Sequence, residues 1–337
     1  MSFDDFIANL TPGVRKNIQT VSNVNRTVYK TPLVGLNWAL DGGFLAGGFV
    51  TVYGGSGSSK STLMLQCVAL WQTQGYTCGI IDAEGTVTKQ HAESLGVDVS
   101  RLIYSGDKGI RQAADTAVAW LEAGIDVVIV DTISDLIPAP FIDKDGTVKE
   151  FDGNQQIGAS AKSIAAMTRM IHYTCKKNQL VIYVSQTTTE INTTYTRQIP
   201  SGGKKVEFDS SQMLQLTASR ATTQQLKSKE DGSAIGREVT AVVMKNKGGP
   251  EYRTAKYNLY YGDGLRGIDK AYELVEVGCQ QNVIQGTTWL SWNDIKVQGK
   301  ENFARQIRDN PALMDALYAD VEMALDGVVV DGITEDA

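Results

Sequence analysis

Residues 49–63 read FVTVYGGSGSSKSTL and decide the fold, because they join an apolar strand, a glycine-serine loop and the start of a helix. The loop is close to the phosphate-binding pattern G-x-x-x-x-G-K-[ST], with Gly54 six residues before Lys60 and Ser61 directly after it. Ser59 stands where that pattern has its second glycine. A serine is compatible with phosphate binding if the position keeps a negative φ, since its backbone N–H remains available. Two interpretations are open: a nucleotide site, or a glycine-rich turn with a chance lysine.

A nucleotide site of this kind binds phosphate through backbone N–H groups at the start of a helix, where the helix dipole favours anions. Lys60 would supply a positive charge for the β- and γ-phosphates, and the Ser61 hydroxyl can ligate Mg²⁺. The residues predicted to contact the nucleotide in this loop are Gly54, Gly55, Ser56, Gly57, Ser58, Ser59, Lys60, Ser61 and Thr62.

Apolar strands and helices alternate on both sides of the loop. Strand-like runs occupy residues 49–54, 77–84, 125–131 and 179–186, and helical periodicity covers residues 61–75 and 155–177. This alternation predicts an α/β fold with a mainly parallel central sheet. Residues 237–247 and 252–262 alternate apolar and polar side chains around the turn sequence KGGP, which predicts a β-hairpin.

Polar side chains stand at the ends of three predicted strands, where ligands bind in open α/β sheets. Asp131 is placed to hold Mg²⁺, and Glu84 could orient or deprotonate a water that attacks the γ-phosphate. The amide of Gln186 could contact the γ-phosphate and report hydrolysis to the long polar segment 187–205 that follows it. These positions together favour the nucleotide site over the chance lysine.

Composition narrows the class of protein further. The 337 residues carry a net charge of −6, which by itself argues against nucleic-acid binding, although a local basic groove can work on an acidic molecule. Four cysteines without a C-x-x-C pair and two histidines argue against a zinc site or a disulfide framework. No apolar run approaches the ~20 residues that span a bilayer, and the acidic N-terminus lacks a signal-peptide core. We expect a cytoplasmic protein with no membrane partner.

Seven motifs, in order, resemble those of the RecA family of recombinases. They are VYGGSGSSKSTLMLQ (52–66), IIDAEGTVTKQHAESLGVDVSRLI (80–103), IDVVIVDTISDLIP (125–138), VIYVSQ (181–186), SGGKKVEFDSS (201–211), VVMKNK (242–247) and LYYGDG (259–264). The resemblance covers roughly residues 30–325 and implies a RecA-like P-loop ATPase core. The missing glycine and the segment 26–43 are more similar to bacteriophage recombinases of the UvsX kind, so the resemblance favours a phage recombinase that acts in the bacterial cytoplasm of a phage-infected cell.

The resemblance also implies roles at the nucleotide, with ATP and Mg²⁺ as cofactors. Ser61 and Asp131 would hold the metal, Glu84 would be the catalytic carboxylate and Gln186 the switch. His91 lies where the family often places an aromatic residue against adenine. The family further implies three contacts across a subunit interface: Lys245 and Lys247 to the neighbour's γ-phosphate, and Tyr261 to the neighbour's adenine.

Two polar segments, about 140–157 and 187–203, correspond to the DNA-binding loops of the family. Their composition suits backbone-directed binding of single-stranded DNA without sequence choice. Tyr195 and Ile199 are candidates for wedging between bases. The predicted DNA-binding residues are Lys162, Tyr195, Arg197, Ile199, Gly202, Gly203 and Lys204.

These inferences predict four regions along the chain. They are an N-terminal helix or oligomerisation segment (1–30), the ATPase core (31–265), a small, mostly helical α/β C-terminal domain (266–326) and an acidic tail (327–337). A short helix is expected near residues 3–10.

The leading hypothesis is an ATP-dependent homologous recombinase that coats single-stranded DNA as a helical homopolymer and pairs it with duplex DNA. A single-strand-binding protein and a loading mediator are possible further partners. Two alternatives stay open: a ring helicase of related fold, and a non-hydrolysing filament protein in which Ser59 has spoiled catalysis.

Overall fold

The computed structural model describes residues 3–12, 26–138, 159–190, 197–218, 225–228, 231–262 and 265–327. The helices are α1 (Phe3–Ala8), α2 (Val34–Ala39), α3 (Lys60–Thr73), α4 (Lys89–Ser94), α5 (Ile110–Ala123), α6 (Ala159–Thr174), α7 (Lys204–Asp209), α8 (Lys270–Gln280), α9 (Lys300–Arg308) and α10 (Pro311–Asp326). None of the helices in these ranges is long and apolar enough to cross a membrane.

The strands form one large sheet and three small pairs. They are β1 (Val28–Tyr29), β2 (Phe44–Leu45), β3 (Gly48–Gly54), β4 (Cys78–Asp82), β5 (Leu102–Ser105), β6 (Val127–Asp131), β7 (Leu180–Ser185), β8 (Thr187–Glu190), β9 (Arg197–Pro200), β10 (Gln212–Ala218), β11 (Gln225–Lys227), β12 (Ala234–Asn246), β13 (Thr254–Tyr261), β14 (Arg266–Ile268), β15 (Trp289–Trp292) and β16 (Ile295–Gln298). The ten-stranded sheet has the order β14-β13-β12-β10-β3-β7-β6-β4-β5, with β11 beside β12.

The sheet is parallel from β10 to β5 and antiparallel in the edge formed by β12, β13 and β14. The predicted α/β fold with a mainly parallel sheet is therefore confirmed. The predicted hairpin is also present as β12 and β13, which pair antiparallel. The antiparallel edge matters for function because it places its residues away from the edge at which the parallel strands end.

Strands β3, β4, β6 and β7 are buried at every position because helices cover both faces of the sheet. Side chains on one face, such as Val50 and Val52, pack with Leu63 and Trp71 of α3. On the other face, Phe49 belongs to the cluster that includes Ala117 of α5 and Ile171 of α6. The two hydrophobic cores hold the central strands in a fixed register.

Beyond β14 the chain forms helices α8, α9 and α10 with the hairpin of β15 and β16. Its core contains Phe303 and Leu317 together with Val34 from α2, so this part of the chain packs on the part that carries the large sheet. Residues 328–337, which include most of the predicted acidic tail, lie outside the described ranges.

A buried carboxylate joins the two parts. Glu273 of α8 is 2% exposed and accepts hydrogen bonds from the backbone N–H of Gly35 (2.7 Å) and of Val34 (3.2 Å). Burial raises the pKa of Glu273 to about 8, although both backbone hydrogen bonds favour the charged form. A folded-state pKa above the unfolded value of an acid means that the folded chain retains the proton longer as pH rises.

We therefore predict that Glu273 makes the protein less stable as pH rises from about 4.5 to about 8. Above that range the penalty is complete and amounts to at most ~5 kcal/mol. Glu273→Gln should reduce this loss, because the amide keeps one acceptor for Gly35 and carries no charge. Chemical denaturation without nucleotide at pH 5.5, 7.5 and 9 measures the free energy of unfolding of both proteins.

Glu276→Gln is the matched control, since Glu276 lies on the same helix but pairs with Lys300 of α9 at 2.9 Å. Equal pH slopes for the Glu273→Gln variant and the original chain would contradict the assignment.

Candidate functional site

The parallel register brings the predicted site residues to one edge of the sheet. Asp82 of β4 is the register partner of Asp131 of β6, and Tyr53 of β3 is the partner of Ser185 of β7. Because β3, β7, β6 and β4 are adjacent and run in the same direction, their carboxyl ends meet at this edge. The phosphate loop, Gln186, Asp131 and Glu84 all follow these strand ends, as the sequence predicts.

The phosphate loop turns directly from β3 into α3. Lys60 is 8% exposed, and its ammonium group donates hydrogen bonds to the carbonyl oxygens of Gly54 (2.9 Å) and Gly55 (3.0 Å). Burial lowers the pKa of Lys60, while the nearby carboxylates of Asp131, Glu84 and Asp135 act in the opposite direction. The lysine is thus held inside its own loop, close to the carboxylates at the strand ends.

The condition of a negative φ at Ser59 is not met. Its φ is +70°, in the left-handed region that favours glycine. Ser59 is also the N-cap residue of α3, yet its hydroxyl does not cap the helix. The loop therefore places a serine in a conformation that glycine adopts more easily, at some cost in backbone strain.

Asp131 is the most strongly perturbed carboxylate at this edge. Its side chain is 2% exposed, and within the described ranges its Oδ1 has no hydrogen-bond partner. Burial raises the pKa of Asp131 to about 6, helped by the charges of Glu84 and Asp82 and opposed by a hydrogen bond from Ser61 and by Lys60. A buried carboxylate oxygen without a partner, beside a serine hydroxyl, fits a bound cation such as Mg²⁺.

Glu84 lies at the exposed side of this edge, two residues beyond β4. Burial raises the pKa of Glu84 first, and a hydrogen-bonding contact with Asp135 raises it further, whereas Lys60 and the contact with Gln186 lower it. Sequence reasoning assigned no role to Asp135, which accepts a hydrogen bond from the Thr132 hydroxyl at 2.6 Å. The polar cluster DTISD after the apolar strand is the signal that could have found it.

The neighbouring carboxylate Asp82 has a different task. It is fully buried, and its two oxygens accept hydrogen bonds from the backbone N–H of Gly85 (2.8 Å) and of Val87 (2.9 Å). It thereby fixes the turn that carries Glu84. Asp82 is a structural acceptor, and Glu84 is left as the carboxylate that can contact a substrate.

Gln186 connects the nucleotide edge to the segment that follows it. Its backbone N–H donates to the Ser134 hydroxyl (2.9 Å), and its carbonyl oxygen accepts from the backbone N–H of Ser201 (2.9 Å). The Ser185 hydroxyl donates to the Ser201 carbonyl oxygen at 3.0 Å. Residue 186 is therefore joined to both ends of the segment 187–201, through the chain to residue 187 and through a hydrogen bond to Ser201.

Comparison with known proteins bears on the whole core. The family model described as the RecA N-terminal domain matches residues 13–266. The chain belongs to the RecA family.

Three curated relatives are each described as protein RecA. The one from Azospirillum lipoferum is 29% identical over 315 residues, which are 92% of this chain and 82% of that protein. The one from Acinetobacter baylyi is 32% identical over 283 residues, which are 82% of this chain and 77% of that protein. The one from Clostridioides difficile is 31% identical over 289 residues, which are 84% and 79% of the two chains. A crystal structure of the RadB recombinase is similar over 69% of this chain and 95% of that chain, with 19% identity and a TM-score of 0.49.

The structure describes residues 187–190 and 197–203 of the second predicted DNA loop of this RecA-family chain. The described residues of the segment 187–203 form an antiparallel hairpin of β8 and β9, and this hairpin was not expected from the sequence. Arg197 is 48% exposed in its side chain and forms an ion pair with Glu207 of α7 at 2.8 Å. Ile199 is half-buried in β9.

The remaining predicted DNA contacts have different surroundings. Gly202 and Gly203 have φ of +109° and +88°, so the turn that leads into α7 requires glycine. Lys204 begins α7, and Lys162 is exposed on α6. Tyr195 and the first loop, 140–157, lie outside the described residues, and their DNA contacts stay predictions.

The lysine pair of this RecA-family chain lies far from its own phosphate loop. Lys245 of β12 is the register partner of Met213 in β10, and Met213 is in turn the partner of Thr51 in β3. It is thus two strands away from Gly54 and roughly 10 Å back along the strand direction. The ammonium group of Lys245 donates to the carbonyl oxygens of Glu207 (2.8 Å) and Phe208 (2.9 Å) at the end of α7. Lys247 is exposed at the same end.

Tyr261 lies beside its own phosphate loop. It lines a cavity of about 420 Å³ together with Ser56 and Gly57, and the guanidinium of Arg237 lies 5.1 Å from its ring centroid. The predicted contact of Tyr261 with the neighbour's adenine stays a prediction. Arg237 was not found from sequence, because nothing local marks it.

His91 lies on α4, where its backbone N–H donates to the Thr88 hydroxyl. Burial, and then the charge of Arg266, lower the pKa of His91, so it is neutral near pH 7. A neutral imidazole is compatible with the predicted stacking on adenine, which stays a prediction.

The glycines of the loop give a matched pair of variants. A Cβ at Gly54 would clash with the carbonyl oxygen of Leu216 and the hydroxyl of Ser58, whereas a Cβ at Gly55 would meet nothing within 4 Å. We predict that Gly54→Ala lowers the free energy of unfolding without nucleotide by about 2 kcal/mol or more, through forced backbone shifts. Gly55→Ala should stay within about 0.5 kcal/mol. Equal losses, measured by denaturation, would contradict the close approach at Gly54.

Proposed function

We propose that this RecA-family chain is an ATP-dependent homologous recombinase that forms helical filaments on single-stranded DNA and exchanges strands with a homologous duplex. One observation carries the proposal. Gln186, at the nucleotide edge beside Glu84, is hydrogen-bonded to Ser201, at the base of the hairpin that carries Arg197. A residue predicted to contact the nucleotide is thus hydrogen-bonded to a segment predicted to bind DNA.

ATP would bind with its phosphates in the loop of residues 54–62, where backbone N–H groups and Lys60 face the charge. Ser61 and Asp131 would hold Mg²⁺, which supplies positive charge to the phosphates when bound. Binding would also place a cation beside the unpartnered oxygen of Asp131, which offsets the cost of burying that carboxylate.

Hydrolysis is assigned to Glu84 as the group that orients a water and accepts its proton. The raised pKa of Glu84 makes it a better base than an ordinary carboxylate, since its proton affinity is higher. Gln186 contacts Glu84 and would sense whether the γ-phosphate is present. Movement of residue 186 would then alter the hairpin at Ser201, which is an order–disorder type of switch.

Assembly follows from the separation of the phosphate loop from the lysine pair within one subunit. The phosphate loop follows the carboxyl end of β3, whereas Lys245 lies two strands away, level with Thr51, and Lys247 lies two residues further from the loop. A head-to-tail contact between copies would bring the lysines of one to the loop of the next, and a contact of this kind generates a helical polymer if it does not close into a ring. To reach a neighbour, Lys245 would have to leave the carbonyl oxygens at the end of α7.

A subunit-mixing experiment tests the proposal. We predict that Lys60→Ala alone and the double variant Lys245→Ala/Lys247→Ala alone lack DNA-stimulated ATP hydrolysis, because each removes one half of every shared site. An equimolar mixture should recover roughly a quarter of the original rate, since random assembly pairs an intact loop with intact lysines at that frequency.

No recovery in the mixture, or normal strand exchange by Lys60→Ala, would contradict the shared site. Electron microscopy of the protein with ATP and single-stranded DNA separates filaments from rings, and rings would favour the helicase alternative. An original chain that binds DNA with ATP but never hydrolyses it would favour the non-hydrolysing filament.

The hairpin gives a second prediction. Arg197→Ala should weaken ATP-dependent binding to single-stranded DNA and reduce the salt dependence of binding by about one phosphate contact. Arg111→Ala is the control, because Arg111 is an exposed arginine on α5 with an intrahelical partner, Asp115. Fluorescence anisotropy with a labelled oligonucleotide at several salt concentrations measures both. Identical salt slopes for the two variants would contradict the role of Arg197.

We also propose the bacteriophage UvsX-like subtype, which Ser59 and the segment 26–43 support by resemblance alone. The curated relatives named above are bacterial RecA proteins at 29–32% identity, and this identity is low enough for the chain to belong to a divergent branch of the family. A single-strand-binding protein and a loading mediator would be its partners.

A further inference from the structure

One hydrogen bond joins the phosphate loop to a distant strand. The Ser59 hydroxyl lies 2.8 Å from the phenol oxygen of Tyr257, which is 198 residues away on β13. Both side chains are buried, with Ser59 7% and Tyr257 2% exposed. Burial raises the pKa of the Tyr257 phenol, so it keeps its proton and can donate to Ser59 or accept from it.

Apart from its hydrogen bond to Tyr257, Ser59 has an unusual geometry for a helix N-cap residue. A serine at the N-cap ordinarily accepts a hydrogen bond from the first turn of its helix, but the hydroxyl of Ser59 makes no such bond. Its backbone is in the left-handed region at φ +70°, which a serine adopts with difficulty. The helix nevertheless begins here, because the Leu63 N–H donates to the Ser59 carbonyl oxygen at 2.8 Å.

Tyr257 belongs to the strand that also reaches the tip of the loop. Its register partner is Val239 of β12, and Tyr261, four residues further along β13, lines the cavity beside Ser56 and Gly57. The antiparallel edge of the sheet therefore supports the loop at two points, and the Ser59–Tyr257 bond is the buried one.

We propose that the Ser59–Tyr257 hydrogen bond is a latch that holds the phosphate loop in its nucleotide-binding conformation, with both as positioning residues for the nucleotide. The latch compensates for the missing glycine: the bond to Tyr257 stabilises the left-handed backbone that glycine would adopt freely. The N–H of Ser59 and the ammonium group of Lys60 stay in place for the phosphates. This inference rests on the proposed nucleotide site and names the groups that hold it open.

Paired variants separate this role from ordinary core packing. Tyr257→Phe and Ser59→Ala should each weaken binding of ADP with Mg²⁺ and raise the KM for ATP by about five- to tenfold, the effect of one buried hydrogen bond. The kcat should stay within about twofold, because the groups that carry hydrolysis are untouched. The double variant should have a KM no higher than that of the more impaired single variant, since both substitutions remove the same hydrogen bond.

Ser59→Gly tests the backbone part of the argument. It removes the strain together with the hydroxyl, so its KM should lie between that of the original chain and that of Ser59→Ala. A Ser59→Gly variant that binds ADP as weakly as Ser59→Ala would show that strain has no part in the latch.

Tyr183→Phe is the matched control. Tyr183 is a fully buried tyrosine whose hydroxyl has no hydrogen-bond partner in the described structure, and it packs against Phe49 on the opposite face of the sheet. It should leave the KM unchanged. Thermal unfolding without nucleotide is recorded for every variant.

Two outcomes would overturn the latch. One is a lowered unfolding temperature in Tyr257→Phe and Ser59→Ala with an unchanged ADP affinity, which would make the bond purely structural. The other is a double variant whose loss in free energy of ADP binding equals the sum of the losses in the two single variants. Either can occur while Lys60→Ala still abolishes hydrolysis, so failure of the latch is distinguishable from failure of the proposed function.

Discussion

The parallel register of β3, β7, β6 and β4 is the constraint on which the rest of the structure depends. It aligns Asp82 with Asp131 and Tyr53 with Ser185, so that groups far apart in sequence leave the sheet at one edge. Because these strands are buried on both faces, a slip of one residue would displace every apolar side chain from its core. The same packing forces Lys60 and Asp131 into low-dielectric surroundings, where each charge partly compensates the other.

The antiparallel edge of the sheet adds what a parallel sheet alone would lack. Strand β13 supports the phosphate loop through Tyr257, and β12 carries Lys245, which lies level with Thr51 in the middle of β3. Helix α7 pairs with Arg197 through Glu207 and accepts hydrogen bonds from Lys245 through its last carbonyl oxygens. This short helix therefore connects Arg197, which we propose as a DNA contact, with Lys245, which we propose as a subunit contact.

Much of this arrangement could be predicted from the sequence, because it is encoded locally. Apolar runs fixed the central strands, and the spacing of Gly54, Lys60 and Ser61 indicated the loop. Asp131 and Gln186 were found because each directly ends or follows such a run. The pairing of Ser59 with Tyr257 depends on contacts across the sheet, which no local pattern reports, and the positive φ of Ser59 contradicts the usual preference of serine. The β8–β9 hairpin was missed because its strands are polar, and the position of Tyr261 beside its own phosphate loop was not predicted because it depends on the register of β12 and β13.

The separation of the phosphate loop from Lys245 and Lys247 has a consequence for any assembly of these chains. In the proposed head-to-tail assembly, a row of n copies would contain only n − 1 complete sites, because one terminal copy would present an uncovered loop and the other an unused pair of cations. The two ends of the row would be chemically unlike, so an added monomer would meet a different surface at each. Turnover per copy would then rise with length, and the polymer would have a direction that a single chain does not have.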